Sequence, residues 1–285
     1  MKREILINGN PRETRVAIIE DDQLVELLVD RPENRRMVGD IYYGRVGAVL
    51  PGIQAAFVDI GTEKDAFLHA SDLVYPEAEA PDDADADEDD EEDEEDAPRG
   101  KRRNGDSEKG DQPIQDLLKR GQDIIVQVSK EPISTKGPRV TAQVSLAGRF
   151  LVYMPFASRV GVSRKIGDRD ERRRLKEQVQ AILPEKSGGV IVRTVSEDVT
   201  QETFQRELTT LINQWKRIKK KTNFTRAPTL LHRETSLTRG IIRDLFSAKV
   251  DSLTVDSKQL FNEITEYLKG VAPDLVERVK LYEEQ

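Results

Sequence analysis

Between Gly39 and Leu73 the chain reads GDIYYGRVGAVLPGIQAAFVDIGTEKDAFLHASDL, and this stretch narrows the possible folds more than any other. Short runs rich in β-branched and aromatic residues (Ile41–Val46, Ala55–Ile60, Ala66–Leu68) alternate with turn residues at Gly44, Gly47, Gly52 and Gly61. Runs of that length, broken at that spacing, predict a small antiparallel barrel. Phe57 and Phe67 fall on two of the runs, with Tyr42, Tyr43, Arg45 and Lys64 nearby. A surface for single-stranded nucleic acid needs such a mixture, rings to stack on bases and cations to meet phosphates. Two phenylalanines in the core of an ordinary barrel would give the same pattern, and the residues leave both readings open.

The formal net charge of −8 conceals two unlike parts. Residues 77–111 carry 18 Asp/Glu against 5 Lys/Arg, which leaves the remainder of the chain at +5. The block EAEAPDDADADEDDEEDEEDAPRGKRRNGD has no β-branched or aromatic residue to bury and is expected to be a disordered loop. The mildly basic remainder permits an RNA partner without demanding one. The chain has no cysteine, which excludes disulfides and thiolate metal sites and fits a reducing cytoplasm. It has no apolar run of membrane-spanning length, and charges alternate with aliphatics from residue 2 onward, unlike a signal peptide. A soluble cytoplasmic protein with two or three small domains is expected.

Residues 3–8, 15–19 and 23–29 read as a meander of strands that opens a sheet. The barrel follows from about residue 36, with later strands at Asp123–Ser129 and Arg139–Val144. The acidic block therefore interrupts it between its third and fourth strands, a tolerable place because closure entropy grows only with the logarithm of loop length. Beyond it, Arg149–Met154 is strand-like, Pro155–Gly167 loop-rich, Asp170–Leu183 a charged helix and Val190–Thr194 a strand. A helix over roughly 199–221 repeats Phe204, Leu208, Leu211, Ile212, Trp215 and Ile218 at three and four, marking one buried face. Its last turns hold Lys216, Arg217, Lys219, Lys220 and Lys221, which suit the helix dipole and could equally meet RNA phosphates. From Thr235 the pattern is helix, strand, helix, then a short helix from Pro273 toward Leu281 and Tyr282.

Catalytic groups are not evident. Metal-assisted hydrolysis of a phosphodiester needs carboxylates converging on a cation, yet the acids outside the block are scattered singly. His69 and His232 lack partners at ligand spacing, and there is no nucleophile elbow or phosphate-cradling glycine loop. One pair stands out. Arg193–Thr194, at the end of an apolar strand, could clamp a phosphate through two parallel guanidinium bonds and a hydroxyl, or could be an ordinary strand end.

VDIGTEKDAFLHASDL resembles the heart of an S1 domain, and the opening MKREILINGNPRETRVAIIEDDQLVELLVDRPENRRMVGDIYYGRV resembles that of the RNase E/G endoribonucleases. VSLAGRFLVYMP (144–155), GGVIVRT (188–194) and VKLYEE extend the resemblance over essentially the whole chain apart from the acidic block. It implies an α+β chain in which a split RNase H-like domain (1–35 and 235–285) surrounds an OB-type S1 barrel (36–142) and a small α/β 5′-sensor domain (143–234). It implies that Phe57, Phe67 and Lys136 contact single-stranded RNA, and that Gly148, Val152, Arg164, Arg193 and Thr194 bind a 5′-terminal monophosphate. In that family an arginine of the catalytic domain completes the pocket. The family's Mg²⁺-binding aspartates, and a cysteine-bearing zinc link between subunits, lie beyond the point where this sequence stops. The resemblance thus implies an endoribonuclease of mRNA decay and rRNA and tRNA processing, with no catalytic residue here and homo-oligomers only with the further domains. A non-catalytic RNA-binding protein and a structural module whose barrel binds protein are the other expectations.

Overall fold

The computed structural model describes residues 2–10, 12–31, 36–73, 112–196, 199–234, 237–247 and 249–283; the acidic segment 77–111 lies outside them. Three strands open the chain, Arg3–Gly9 (β1), Thr14–Glu20 (β2) and Gln23–Asp30 (β3), paired antiparallel in sequence. Asp21 and Asp22 take φ of 47° and 63° between β2 and β3, the left-handed pair that a two-residue hairpin of this hand requires. Ile5, Ile7, Val16 and Ile18 point to the covered face, whereas Leu24, Leu27 and Val29 of edge strand β3 are exposed.

The barrel comprises Ile41–Leu50 (β4), Ala55–Asp59 (β5), Ala66–His69 (β6), a single helical turn Ile114–Leu117 (α1), Asp123–Lys130 (β7) and Arg139–Thr141 (β8). Its strands follow the order β4-β5-β6-β8-β7, and β7 returns to pair with β4, closing five strands into an OB-type barrel. Only the β6–β8 pairing is parallel. Val46, Ala56, Val58, Leu68, Val126 and Val140 fill the interior, and Ile114 of α1 packs among them.

The middle of the chain builds a four-stranded sheet from Leu146–Ala147 (β9), Leu151–Met154 (β10), Val160–Val162 (β11) and Gly189–Val192 (β12), in the order β11-β12-β10-β9. Helix Arg169–Ile182 (α2) starts where the Asp168 carboxylate accepts from the Asp170 N–H at 2.8 Å. Helix Gln201–Thr222 (α3) buries Phe204, Leu208, Leu211, Trp215 and Ile218, the stripe its periodicity predicts, with Ile212 partly buried beside them. Strand β11 lies inside the expected loop Pro155–Gly167; three residues carry too little pattern to announce a strand, and β11 exists through its parallel pairing with β12. Strand Thr229–His232 (β13), which no pattern suggested, pairs with the free edge of β4.

Helix Leu237–Asp244 (α4), strand Ser252–Val255 (β14) and helix Lys258–Val271 (α5) follow as expected. The segment from Pro273 differs from expectation. It makes a 3-10 turn to Arg278 and then a strand, Val279–Leu281 (β15), paired with β14. The sheet order is β15-β14-β1-β2-β3, and β14 lies parallel to β1 with Ile5 opposite Leu253. The first and last segments thus share one sheet, whose core joins Ile5, Ile7 and Val16 to Ile242, Phe246 and Leu268.

Candidate nucleic-acid interface

Phe57 on β5 and Phe67 on β6 are direct cross-strand partners. Their ring centroids stand 6.1 Å apart at 70°, an edge-to-face pair. Ala56, Val58, Ala66 and Leu68 beside them are fully buried, so strand alternation puts both rings on the outer face of the barrel, where they are half-buried. The core reading of these phenylalanines therefore does not describe this barrel. Phe67 N–H donates to Pro138 O at 2.8 Å, which binds the turn carrying Lys136 to the same strand. Lys64 Nζ holds that turn at Thr135 O, 2.7 Å away, and a Cβ on Gly137 would fall 2.1 Å from Asp65 O. Glycine at 137 is what lets the turn lie flat on the β5–β6 side. Lys136 itself is exposed.

The second group gathers at one end of the four-stranded sheet. Arg193 N–H donates to Phe150 O at 2.8 Å, and Ser163 N–H donates to Val192 O at 2.9 Å. Arg164 and Arg193 therefore leave adjacent strands β11 and β12 at the same end. Val152 faces Ile191 across β10 and β12, and both belong to the face opposite the buried Leu151, Val190 and Val192. Thr194 is exposed in a one-turn 3-10 segment just past β12, not within the strand as expected. Gly148 meets Arg193 directly, its carbonyl accepting from Nη1 at 2.8 Å.

The Arg193 guanidinium also pairs with Asp244 at the end of α4, Nη2 to Oδ1 at 2.6 Å. Arg243 donates to both oxygens of Asp244 at 3.1 Å and reaches Glu234 Oε1 at 2.8 Å. Glu234 N–H in turn donates to Asp40 Oδ1 at 2.7 Å, at the start of β4. Burial works to raise the Asp244 carboxyl, but the hydrogen bonds and charges of Arg243 and Arg193 outweigh it and hold the group below the usual carboxylate range.

Two further residues of this neighbourhood escaped sequence reasoning. The Glu207 carboxylate accepts the N–H groups of Arg149, Phe150 and Leu151 at 2.7, 2.9 and 2.8 Å. Burial pushes Glu207 up, and the three N–H groups oppose that shift. A Cβ on Gly148 would stand 2.7 Å from Glu207 Cδ, so this glycine makes room for the carboxylate. A signal existed: position 207 falls three after Phe204 and four before Leu211, inside the apolar stripe of α3. Arg149, only 4 % exposed, donates to Ile242 O at 2.9 Å and Phe246 O at 2.6 Å at the carboxyl end of α4. Its burial lowers the guanidinium's proton affinity. Nothing in the local sequence distinguishes it from a surface arginine.

Of the lysine-rich end of α3, Lys221 Nζ is engaged with Leu231 O at 2.6 Å, and Lys216, Arg217, Lys219 and Lys220 are exposed. Among the described residues no three His, Asp or Glu converge to hold a metal ion, and no helix is long and apolar enough to cross a membrane.

The sequence pattern of the Ribonuclease E/G family matches residues 145–285. Ribonuclease G of Haemophilus influenzae is 37% identical over 279 residues, which are 98% of this chain and 52% of that protein. Ribonuclease G of Escherichia coli K12 is 37% identical over 99% of this chain and 53% of its own length. Ribonuclease E of Haemophilus influenzae is 34% identical over 99% of this chain and 28% of its own. The chain spans about half the length of the ribonucleases G that it matches.

Proposed function

Because the chain belongs to the ribonuclease E/G family, we propose that it supplies the RNA-binding and 5′-end-sensing surfaces of a single-strand-specific endoribonuclease acting in mRNA decay and in rRNA and tRNA processing. The observation that carries this reading is the outward Phe57–Phe67 pair, two stacking platforms on an OB-type barrel beside the cationic turn of Lys136. A base stacked on such a ring contributes about 1–3 kcal/mol, with little regard to sequence. We read residues 36–142 as the S1 barrel, 143–234 as the 5′-sensor, and 1–35 with 235–285 as a split RNase H-like unit. The shared sheet of β1 and β14 supports the last of these.

Arg164, Arg193 and Thr194 offer two guanidinium groups and a hydroxyl at one sheet end, with Gly148 and Val152 as walls. A terminal monophosphate there has more charge and more acceptor oxygens than an internal phosphodiester. Asp244 and the Gly148 carbonyl already engage Arg193, so a phosphate takes the donors they leave or displaces them. The test compares 5′-monophosphorylated with 5′-hydroxyl RNA of one sequence by fluorescence anisotropy. The expected result is tighter binding of the monophosphate, with Arg193→Ala erasing the difference at a cost of about 1.5–3 kcal/mol. Equal loss for both RNAs would make Arg193 a general or structural contact.

Cleavage needs a metal-holding carboxylate set, and we assign the Mg²⁺ site, the zinc link and any homo-oligomer contact to residues outside this chain. Incubated with Mg²⁺ and single-stranded RNA, the 285-residue chain should leave the RNA intact. EDTA-sensitive cleavage would overturn that assignment.

A further inference from the structure

A cavity of about 660 Å³ opens where Leu146, Ala147, Gly148 and Phe150, the middle of α3, the end of β13 and helices α4 and α5 meet, adjoining the 5′-end surface at Gly148. Its size falls within the few hundred to a thousand Å³ typical of small-ligand sites. Two kinds of wall face it. Phe150, Leu211, Tyr267 and Val271 offer apolar and aromatic surface, while Arg206, Arg233, Arg239 and Lys269 stand exposed at the rim, with Arg243 further in.

The carboxylates of the lining do not neutralise that rim. Glu207 accepts three backbone N–H groups, Glu234 pairs with Arg243, and Glu263, exposed on the same face of α5 as Tyr267, accepts from Gln259 at 3.3 Å. Five cations against three carboxylates therefore line the cavity, and four of the cations, Arg206, Arg233, Arg239 and Lys269, are exposed to solvent. A ligand that suits these walls needs a flat, largely apolar body and a group of about two negative charges at one end. A phosphate monoester supplies that charge near neutral pH, and arginine forks are the donors best shaped to receive it. A nucleobase suits the ring of Tyr267 with Val271 beside it. We propose that this cavity binds a free nucleoside phosphate, its base toward Tyr267 and its phosphate toward Arg239 and Lys269.

The cavity meets the Arg193 neighbourhood at Gly148 and Arg243, so its test rests on Arg239 and Lys269, which lie outside the residues assigned to either RNA surface. The full chain is titrated into a fluorescent N-methylanthraniloyl derivative of ADP, followed by competition with unlabelled ADP, AMP, adenosine and inorganic phosphate. Saturable binding is expected, displaced by ADP and AMP, with adenosine and phosphate each weaker by at least about tenfold because each keeps only half of the contacts. Arg239→Glu combined with Lys269→Glu should weaken the nucleotide by at least about tenfold, and Arg233→Gln by less. Binding of 5′-hydroxyl RNA to the charge-reversed chain should hold, and its thermal melt should match the parent's. No saturation up to about 1 mM, where affinity falls to about −4 kcal/mol, would overturn the proposal. So would displacement by phosphate as effective as by ADP, since the cavity would then hold only anions. An equal loss of RNA binding in the charge-reversed chain would show a general polyanion surface. A 5′-phosphorylated oligoribonucleotide that displaces the probe better than ADP would mean that the cavity takes RNA ends.

Discussion

A carboxylate inside an apolar helix stripe must find hydrogen, and Glu207 finds three N–H groups of the Arg149–Leu151 backbone. That arrangement fixes Gly148 and, through its carbonyl, the Arg193 guanidinium. The barrel phenylalanines show the opposite economy, since they gain little from the fold they sit on. Phe57→Ala and Phe67→Ala should each weaken single-stranded RNA binding by about 1–3 kcal/mol. Their half-exposed rings should cost far less stability than the roughly 3–5 kcal/mol of a buried Phe→Ala change. A binding isotherm beside a thermal melt reads both quantities, and loss of the melt with unchanged specific binding would return the rings to a structural role. The face these rings occupy was only briefly marked beforehand: Asp59 and His69 follow Phe57 and Phe67 at two residues and point the same way, while the other positions of the two runs are apolar. So short an alternation does not fix a register from the residues alone. Arg193 and Thr194 were legible as a cation and a hydroxyl at a strand end and Arg164 through the family resemblance alone, but not the Asp244 partner, which lies 51 residues along from Arg193 and meets it only through packing.

At the scale of elements, long patterns were readable and short ones were not. The stripe of α3, the helices α2, α4 and α5, and the longer barrel strands β4, β5 and β7 each repeat their period often enough to declare themselves. Strands β11, β13 and β15 have three or four residues and owe their existence to an adjacent edge. Helix α4 is the element most dependent on a distant residue. The Ile242 carbonyl in its last turn and the Phe246 carbonyl just past it accept from Arg149, which approaches from the neighbouring unit. Arg149→Met keeps much of the side-chain volume and removes both bonds. Denaturant unfolding should show a loss of about 2–3 kcal/mol, in keeping with charge-assisted bonds inside a protein. A midpoint within error of the parent would show that water replaces the guanidinium without cost.

For the molecule as a whole, the chain Asp40–Glu234–Arg243–Asp244–Arg193 links the start of the barrel, the middle sheet and α4. Its pH dependence follows from Asp244. The folded carboxyl titrates lower than the unfolded one, so the unfolded state takes up the proton first as pH falls. The contribution is full above the ordinary aspartate value of about 3.9 and is lost as pH drops through the lower folded value. Asp244→Asn should therefore reduce stability at neutral pH and flatten its decline in acid, measured as urea midpoints across the acidic range. Parallel curves for the variant and the parent would show that Asp244 is not the group concerned.

The parallel pairing of β1 with β14 also has a meaning in time. Partners across that pair stand 248 residues apart, as Ile5 does from Leu253. A ribosome adding about 5–20 residues per second takes roughly 12–50 s to cover that distance. Through that interval the barrel and the middle sheet can be made and folded, because their partners lie within them. The first hairpins, with Ile5, Ile7 and Val16 uncovered by α4 and α5, cannot finish their core. Strands β1 and β2, made before the barrel, are thus completed after it.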